Sequence, residues 1–120
     1  MIDQNQLKLE LEQFSGSEIR FEYNFLWEKL LLTEGVKHLC EKAECYWLLN
    51  LIASYQDEIL EIEEFQVWHL YKNGGNWRLT CSDGNGKNLI SAEEISYSDF
   101  PLEEIKIWVI SGTILLPNEY

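Results

Sequence analysis

Positive charge is scarce in this sequence. Nine Lys and Arg side chains stand against 21 Asp and Glu, for a formal net charge of −12. Direct binding of nucleic acid needs a cationic track over phosphates, so the shortage argues against it. An anionic membrane surface is disfavoured for the same reason. Long apolar runs are also missing. The longest mainly apolar window, Tyr46–Tyr55, falls short of the roughly 20 residues that span a bilayer as a helix. The N-terminus, MIDQNQLKLELEQ, has neither a basic region nor an apolar core of the signal-peptide kind. Only three cysteines are present, Cys40, Cys45 and Cys81. An odd number cannot pair internally, which predicts reduced thiols and a cytoplasmic setting.

Catalytic signatures are absent too. There is no Gly-x-Ser-x-Gly, phosphate-cradling loop, dinucleotide fingerprint or His-Glu-x-x-His. His38, Cys40 and Cys45 follow no common zinc spacing, and buried thiols beside a surface histidine explain them. Asp83-Gly84-Asn85-Gly86-Lys87 starts like a calcium loop. However, Lys87 takes a ligand position and Asn88 replaces the required glycine, so a hairpin turn is the better reading. The pairs Glu93-Glu94 and Glu103-Glu104 point to opposite faces in a strand, which argues against a carboxylate dyad within either. No cofactor, metal or catalytic residue is assigned.

What the sequence has is apolar and aromatic content: 46% hydrophobic, with five Trp, six Tyr and five Phe in 120 residues. That supports a real core in one domain spanning 1–120, without help from metal or disulfide. Residues 65–97 carry the clearest local signal. Three strand-like runs are separated by Asn73-Gly74-Gly75-Asn76 and Asp83-Gly84-Asn85-Gly86, a hairpin signature. An even loop at Gly74-Gly75 pairs Lys72 with Trp77, Leu70 with Leu79 and Trp68 with Cys81. With a second even loop, Trp68, Leu70, Trp77, Leu79, Cys81, Ile90 and Ala92 share an apolar inner face. A bulge near Glu93-Glu94 returns Ile95 to it. The other face carries Val67, His69, Tyr71, Arg78, Thr80, Leu89 and Ser91. An odd loop would bury Arg78 and expose Trp77 and Leu79, at about 1.5–3 kcal/mol for each large side chain moved.

Elsewhere, Leu7, Leu11 and Phe14 mark a helical face that Ser15-Gly16-Ser17 ends. Ile19, Phe21, Tyr23 and Phe25 alternate as a strand. Residues 26–32 are apolar without a clear period. Thr33 reads as an N-cap, and Tyr46–Ala53 as the buried central helix. Residues 57–64, with five acids around Ile59, Leu60 and Ile62, read as a solvated connector or a frayed helix end. Asp99-Phe100-Pro101 is a turn, Ile105–Ile110 a fourth strand, and Thr113–Leu116 a short fifth. The fourth strand is apolar on both sides and needs two covers, from the N-terminal segment or a second copy of the chain. The predicted fold class is α+β, with N-terminal helices packed on one face of a C-terminal antiparallel β-meander of four to five strands.

Several phrases together resemble an uncharacterised bacterial domain family: QFSGSE (13–18), LTEGV (32–36), YWLLNLIASYQ (46–56), EFQVWHL (64–70), LTCSDGNG (79–86), DFPL (99–102) and LLPNEY (115–120). The resemblance implies a stand-alone cytoplasmic domain and supplies no activity. Two functional expectations follow from the residues. The first is a non-enzymatic protein-interaction module, binding a protein partner or itself as a homodimer, with Trp108 and Ile110 as the candidate interface. The second is a small-ligand binder or small enzyme using His69, Tyr71 and Arg78. The acidic excess sits mainly in residues 57–120, with 12 acids against 4 bases. It serves solubility, or it meets a basic partner.

Overall fold

Helices and strands are interspersed along the chain in the computed structural model, which describes residues 2–16, 19–25, 28–56, 63–95 and 98–120. Asp3 caps the first helix, α1 (Gln4–Glu12), by accepting the N–H bonds of Asn5 and Gln6. Two strands follow, β1 (Arg20–Phe25) and β2 (Glu28–Thr33), then two helices, α2 (Glu34–Ala43) and α3 (Tyr46–Ser54). Among the described residues five strands follow, β3 (Phe65–Asn73), β4 (Asn76–Ser82), β5 (Asn88–Ile95), β6 (Glu104–Ile110) and β7 (Thr113–Leu115), closed by a 3-10 turn at Pro117–Glu119.

Among the described residues the strands form one sheet in the order β1-β2-β7-β6-β3-β4-β5. Neighbours are antiparallel except β2 and β7. This corrects the expected N-terminal helices on a four- to five-stranded C-terminal meander in three respects. First, β1 and β2 precede two of the helices and belong to the same sheet. The run Leu30-Leu31-Leu32 hid β2, because uninterrupted leucines show no alternation. In the fold Leu30 and Leu32 are 2% exposed while Leu31 is 39% exposed, a strand parity invisible in the letters. Second, β6 does not continue from β5 but pairs with β3. The doubly apolar β6 thus takes an interior place, while β5, with two acids and bulges, takes an edge, where charge and irregularity block further pairing. Third, the short Thr113–Leu115 strand joins the two halves instead of ending the sheet.

The β3–β4 register has Trp68 opposite Cys81, Leu70 opposite Leu79 and Lys72 opposite Trp77, as the even loop requires. The extra residue in β5 falls between Ile90 and Glu93, and Ile95 faces Trp77. A second irregularity lies between the Cys81–Ile90 and Ser82–Asn88 pairs. Leu89, expected on the outer face, packs against the core there. The side chains of Ser91 and Ala92 and most of the 57–64 connector lie outside the described residues.

One face of the sheet supplies Leu30, Leu32, Trp68, Leu70, Trp77, Leu79, Cys81, Ile107, Val109 and Ile114 to the core. The helices cover it with Leu7 and Leu11, with Val36, Leu39, Cys40 and Ala43, and with Leu48, Leu49, Ile52 and Ala53. Tyr46 and Ser54 reach the surface, so α3 is buried on one side and not all round. The N-terminal helix α1 packs on α2.

Two buried polar clusters tie distant parts of this layer together. Gln56, after α3, and Gln66, in β3, exchange amide bonds in both directions at 3.0 Å. Gln56 also donates to the Ile52 carbonyl, Gln66 to the Glu63 carbonyl, and Trp68 Nε1 to Gln66 Oε1. Every amide hydrogen is used, which is the condition for burying such groups without penalty. The second cluster centres on Glu119, 4% exposed. Its carboxylate accepts from the Thr33 hydroxyl (2.6 Å) and from the backbone N–H groups of Gly35 and Leu116 (3.0 Å each). Glu119 therefore stands at the start of α2, where the helix dipole favours an anion. Gly35 is required, since a Cβ there would lie 2.6 Å from Glu119 Oε1. Asn118 donates to the carbonyls of Leu11 and Phe14 at the end of α1. The closing PNEY thus fastens two helices to the sheet.

Candidate functional site

Strand parity turns Phe65, Val67, His69 and Tyr71 of β3 away from the helices, with Trp108, Lys106 and Glu104 of β6 on one side and Ser82, Thr80 and Arg78 of β4 on the other. These positions are only half-buried or exposed. A groove of about 680 Å³ crosses this outer face. Phe65, Val67, Trp108 and Pro117 form its apolar lining; Asp83–Gly86 form one wall, with Glu63, Ser82 and Lys106 at the margins.

The wall is organised by Asp83. Its Oδ1 accepts the backbone N–H bonds of Asn85 (2.8 Å) and Lys87 (3.1 Å). These bonds, that of Asn85 first, hold the Asp83 carboxyl below its ordinary range. Gly84 and Gly86 take positive φ (82° and 94°), which glycine adopts freely. At Gly84 the loop leans onto the sheet, since an added Cβ would lie 3.3 Å from Phe65. The DGNG turn is thus both a hairpin connection and a side of the groove. On the opposite side, Trp108 sits 5.1 Å from the Phe65 ring and 5.5 Å from Tyr120, edge-on to the latter. Tyr120 is 80% exposed. Glu63 is oriented by accepting the Phe65 N–H at 3.1 Å.

His69, Tyr71 and Arg78 lie further along the same face. His69 and Tyr71 have ring centroids 4.8 Å apart, and Arg78 is the cross-strand partner of Tyr71. His69 Nε2 lies 3.4 Å from Glu104 Oε1 but makes no hydrogen bond among the described residues. The 680 Å³ groove is not lined by these three residues. Trp108 lines it. Ile110 instead borders a smaller hollow of about 280 Å³ with Arg20, Thr113, Leu115, Glu119 and Tyr120. The candidates therefore fall into three adjoining patches. Phe65, Lys106 and Tyr120 were not singled out from sequence, and Asp83–Gly86 was read as a hairpin turn without a place in a site. Extending the His69–Tyr71 parity back by two and four residues would have found Val67 and Phe65. The position of β6 beside β3, which brings Trp108 and Lys106 in, has no local signal.

The thiols are placed for packing. Cys40 and Cys45 are buried with sulfurs 3.8 Å apart, and all three cysteines are free. The contact with Cys45, and then burial, raises the Cys40 thiol, and burial pushes Cys81 up to about 12. Neither is a nucleophile near neutral pH. His38 turns to α1, its Nε2 2.5 Å from Glu10 Oε1 and its ring on Phe14. Among the described residues no group of three His, Cys, Asp or Glu side chains gathers to hold a metal. Nor is any helix there long and apolar enough to cross a membrane.

No curated protein and no solved structure matches this chain. A family match covers residues 5–120, taking in α1, the whole sheet, the DGNG wall and the closing PNEY. The chain belongs to DUF6876, a family of unknown function.

Proposed function

We propose that this chain is a non-enzymatic protein-interaction module of the cytoplasm that binds a cationic protein segment on the outer face of its sheet. The observation that carries the reading is the contrast in cover among the described residues: three helices close the inner face, while the outer face keeps Phe65, Trp108 and Tyr120 around an open groove. Large aromatics with polar margins are the composition of interface centres. The net charge of −12 selects the sign of the partner. Self-association through Trp108 and Ile110 fits less well, because a homodimer doubles that charge.

Titrating isotopically labelled protein with a short peptide alternating arginine, lysine and leucine tests this reading. The expected result is amide shifts confined to β3, β6 and the Asp83–Gly86 loop, weakening steeply with salt. Shifts confined to the helices, or none, would sink it.

A second reading has one observation of its own. The unsatisfied His69 Nε2 beside Tyr71 and Arg78 supports a small anionic ligand at that patch. Titration with inorganic phosphate should then move the His69 ring signals, and unmoved signals would end it.

A further inference from the structure

We infer that the groove takes an arginine side chain of the partner, its guanidinium against Trp108 and shared between Glu63 and Asp83. This rests on the proposed reading of the outer face and names the group that anchors it.

The lining combines apolar side chains that suit a side-chain stem, Phe65, Val67 and Pro117, with two carboxylates that suit a cationic head group, Glu63 and Asp83. Long cationic side chains bury their stems and keep the charge in polar surroundings. The two acids approach from different parts of the fold: Glu63 precedes β3, and Asp83 starts the β4–β5 loop. Each is already held in place by backbone N–H groups. Both bonds to Asp83 fall on Oδ1, so Oδ2 is not committed to them. Two fixed acceptors at separate points suit a planar five-donor fork better than a compact ammonium. An indole in the same lining favours the flat, weakly hydrated guanidinium again.

Among the described residues Lys106 is the one cation in the lining. It lies opposite His69, one step along β6 from the position opposite Val67 that Trp108 occupies. Its charge disfavours a cation at the His69 end and biases the guanidinium toward Glu63. Removing it should tighten binding.

The test compares blocked Gly-Arg-Gly, Gly-Lys-Gly and Gly-citrulline-Gly peptides, titrated into the labelled protein while the Trp108 indole N–H and the Gly84 and Gly86 amides are followed. The arginine peptide should bind about fivefold tighter than lysine, and citrulline about tenfold weaker than arginine, because the fork and the charge are lost in turn. Glu63→Gln should weaken the arginine peptide about threefold and Lys106→Met tighten it about twofold. Equal binding of arginine and lysine at these signals, or indifference to Glu63→Gln, would overturn the arginine anchor while leaving a cationic segment on this face. Absence of any shift on the outer face with every cationic peptide would overturn both.

Discussion

The two faces of the sheet use tryptophan in opposite ways. On the inner face Trp68 and Trp77 are 1% and 4% exposed. Trp68 packs under Tyr55 and donates its indole N–H to Gln66, and Trp77 meets Phe100 edge-on. The Trp68 handle is used, both rings belong to the buried core, and the helices pack over that core. On the outer face Trp108 is only partly covered, by Phe65 and an exposed Tyr120. The same residue type is a keystone on one side and an open surface on the other. What differs, among the described residues, is the layer above it, so function is better sought where large aromatics carry no described helix over them.

The largest effect should come from removing an inner keystone. Trp68→Ala leaves a large void and removes one of the two donors to Gln66 Oε1, and should cost about 3–5 kcal/mol in denaturant unfolding. A cost under 1 kcal/mol, by the same standard, would erase the distinction between the faces. The next test concerns how the inner layer is fastened. Glu119→Ala orphans the Thr33 hydroxyl and two backbone N–H groups, and should cost about 2–4 kcal/mol. Gly35→Ala should do similar harm by driving the carboxylate out. Unchanged melting of both variants would show that the closing turn is dispensable.

A smaller effect belongs to the outer face alone. Asp83 is more acidic folded than its ordinary 3.8. The loop therefore gains support that is fully present above pH 3.8 and is lost as pH falls through the lowered value. The amide signals of Asn85 and Lys87 should shift together in that acid range while those of Trp68 and Leu70 stay put. Simultaneous loss of all four would mean that the loop does not titrate separately from the core.

The hairpin at Gly74-Gly75 was legible because its turn fixes the register, and register sorts Trp68, Leu70, Trp77 and Leu79 onto one side. The first helix was legible from its apolar stripe, the second from its cap at Thr33, and the third from its nearly continuous apolar run. The topology was not. β2 lies in a leucine run without period, and its parallel pairing with β7 joins Leu31 to Thr113 across most of the chain. Long-range pairing of this kind has no local signal. The burial of Glu119 could not be read either, because an acid in a sequence looks solvated until Thr33 and Gly35 are seen beside it. The fold does explain several phrases that carried the family resemblance: IASYQ and EFQVW meet through Gln56 and Gln66, and LTEGV meets PNEY through Glu119. Of the candidate site, Trp108 and the outer-face parity were readable. The groove was not, since Glu63, Asp83 and Trp108 come together only through the β6–β3 and β3–β4 pairings.

The most direct test of the division between faces is a paired measurement on Trp108→Ala: unfolding free energy, and affinity for the peptide of arginine, lysine and leucine. The account predicts a stability loss of about 1 kcal/mol, as for a partly exposed side chain, with peptide binding reduced about tenfold or more, as at an interface hot spot. A large loss of stability, or peptide binding that survives unchanged, would contradict it.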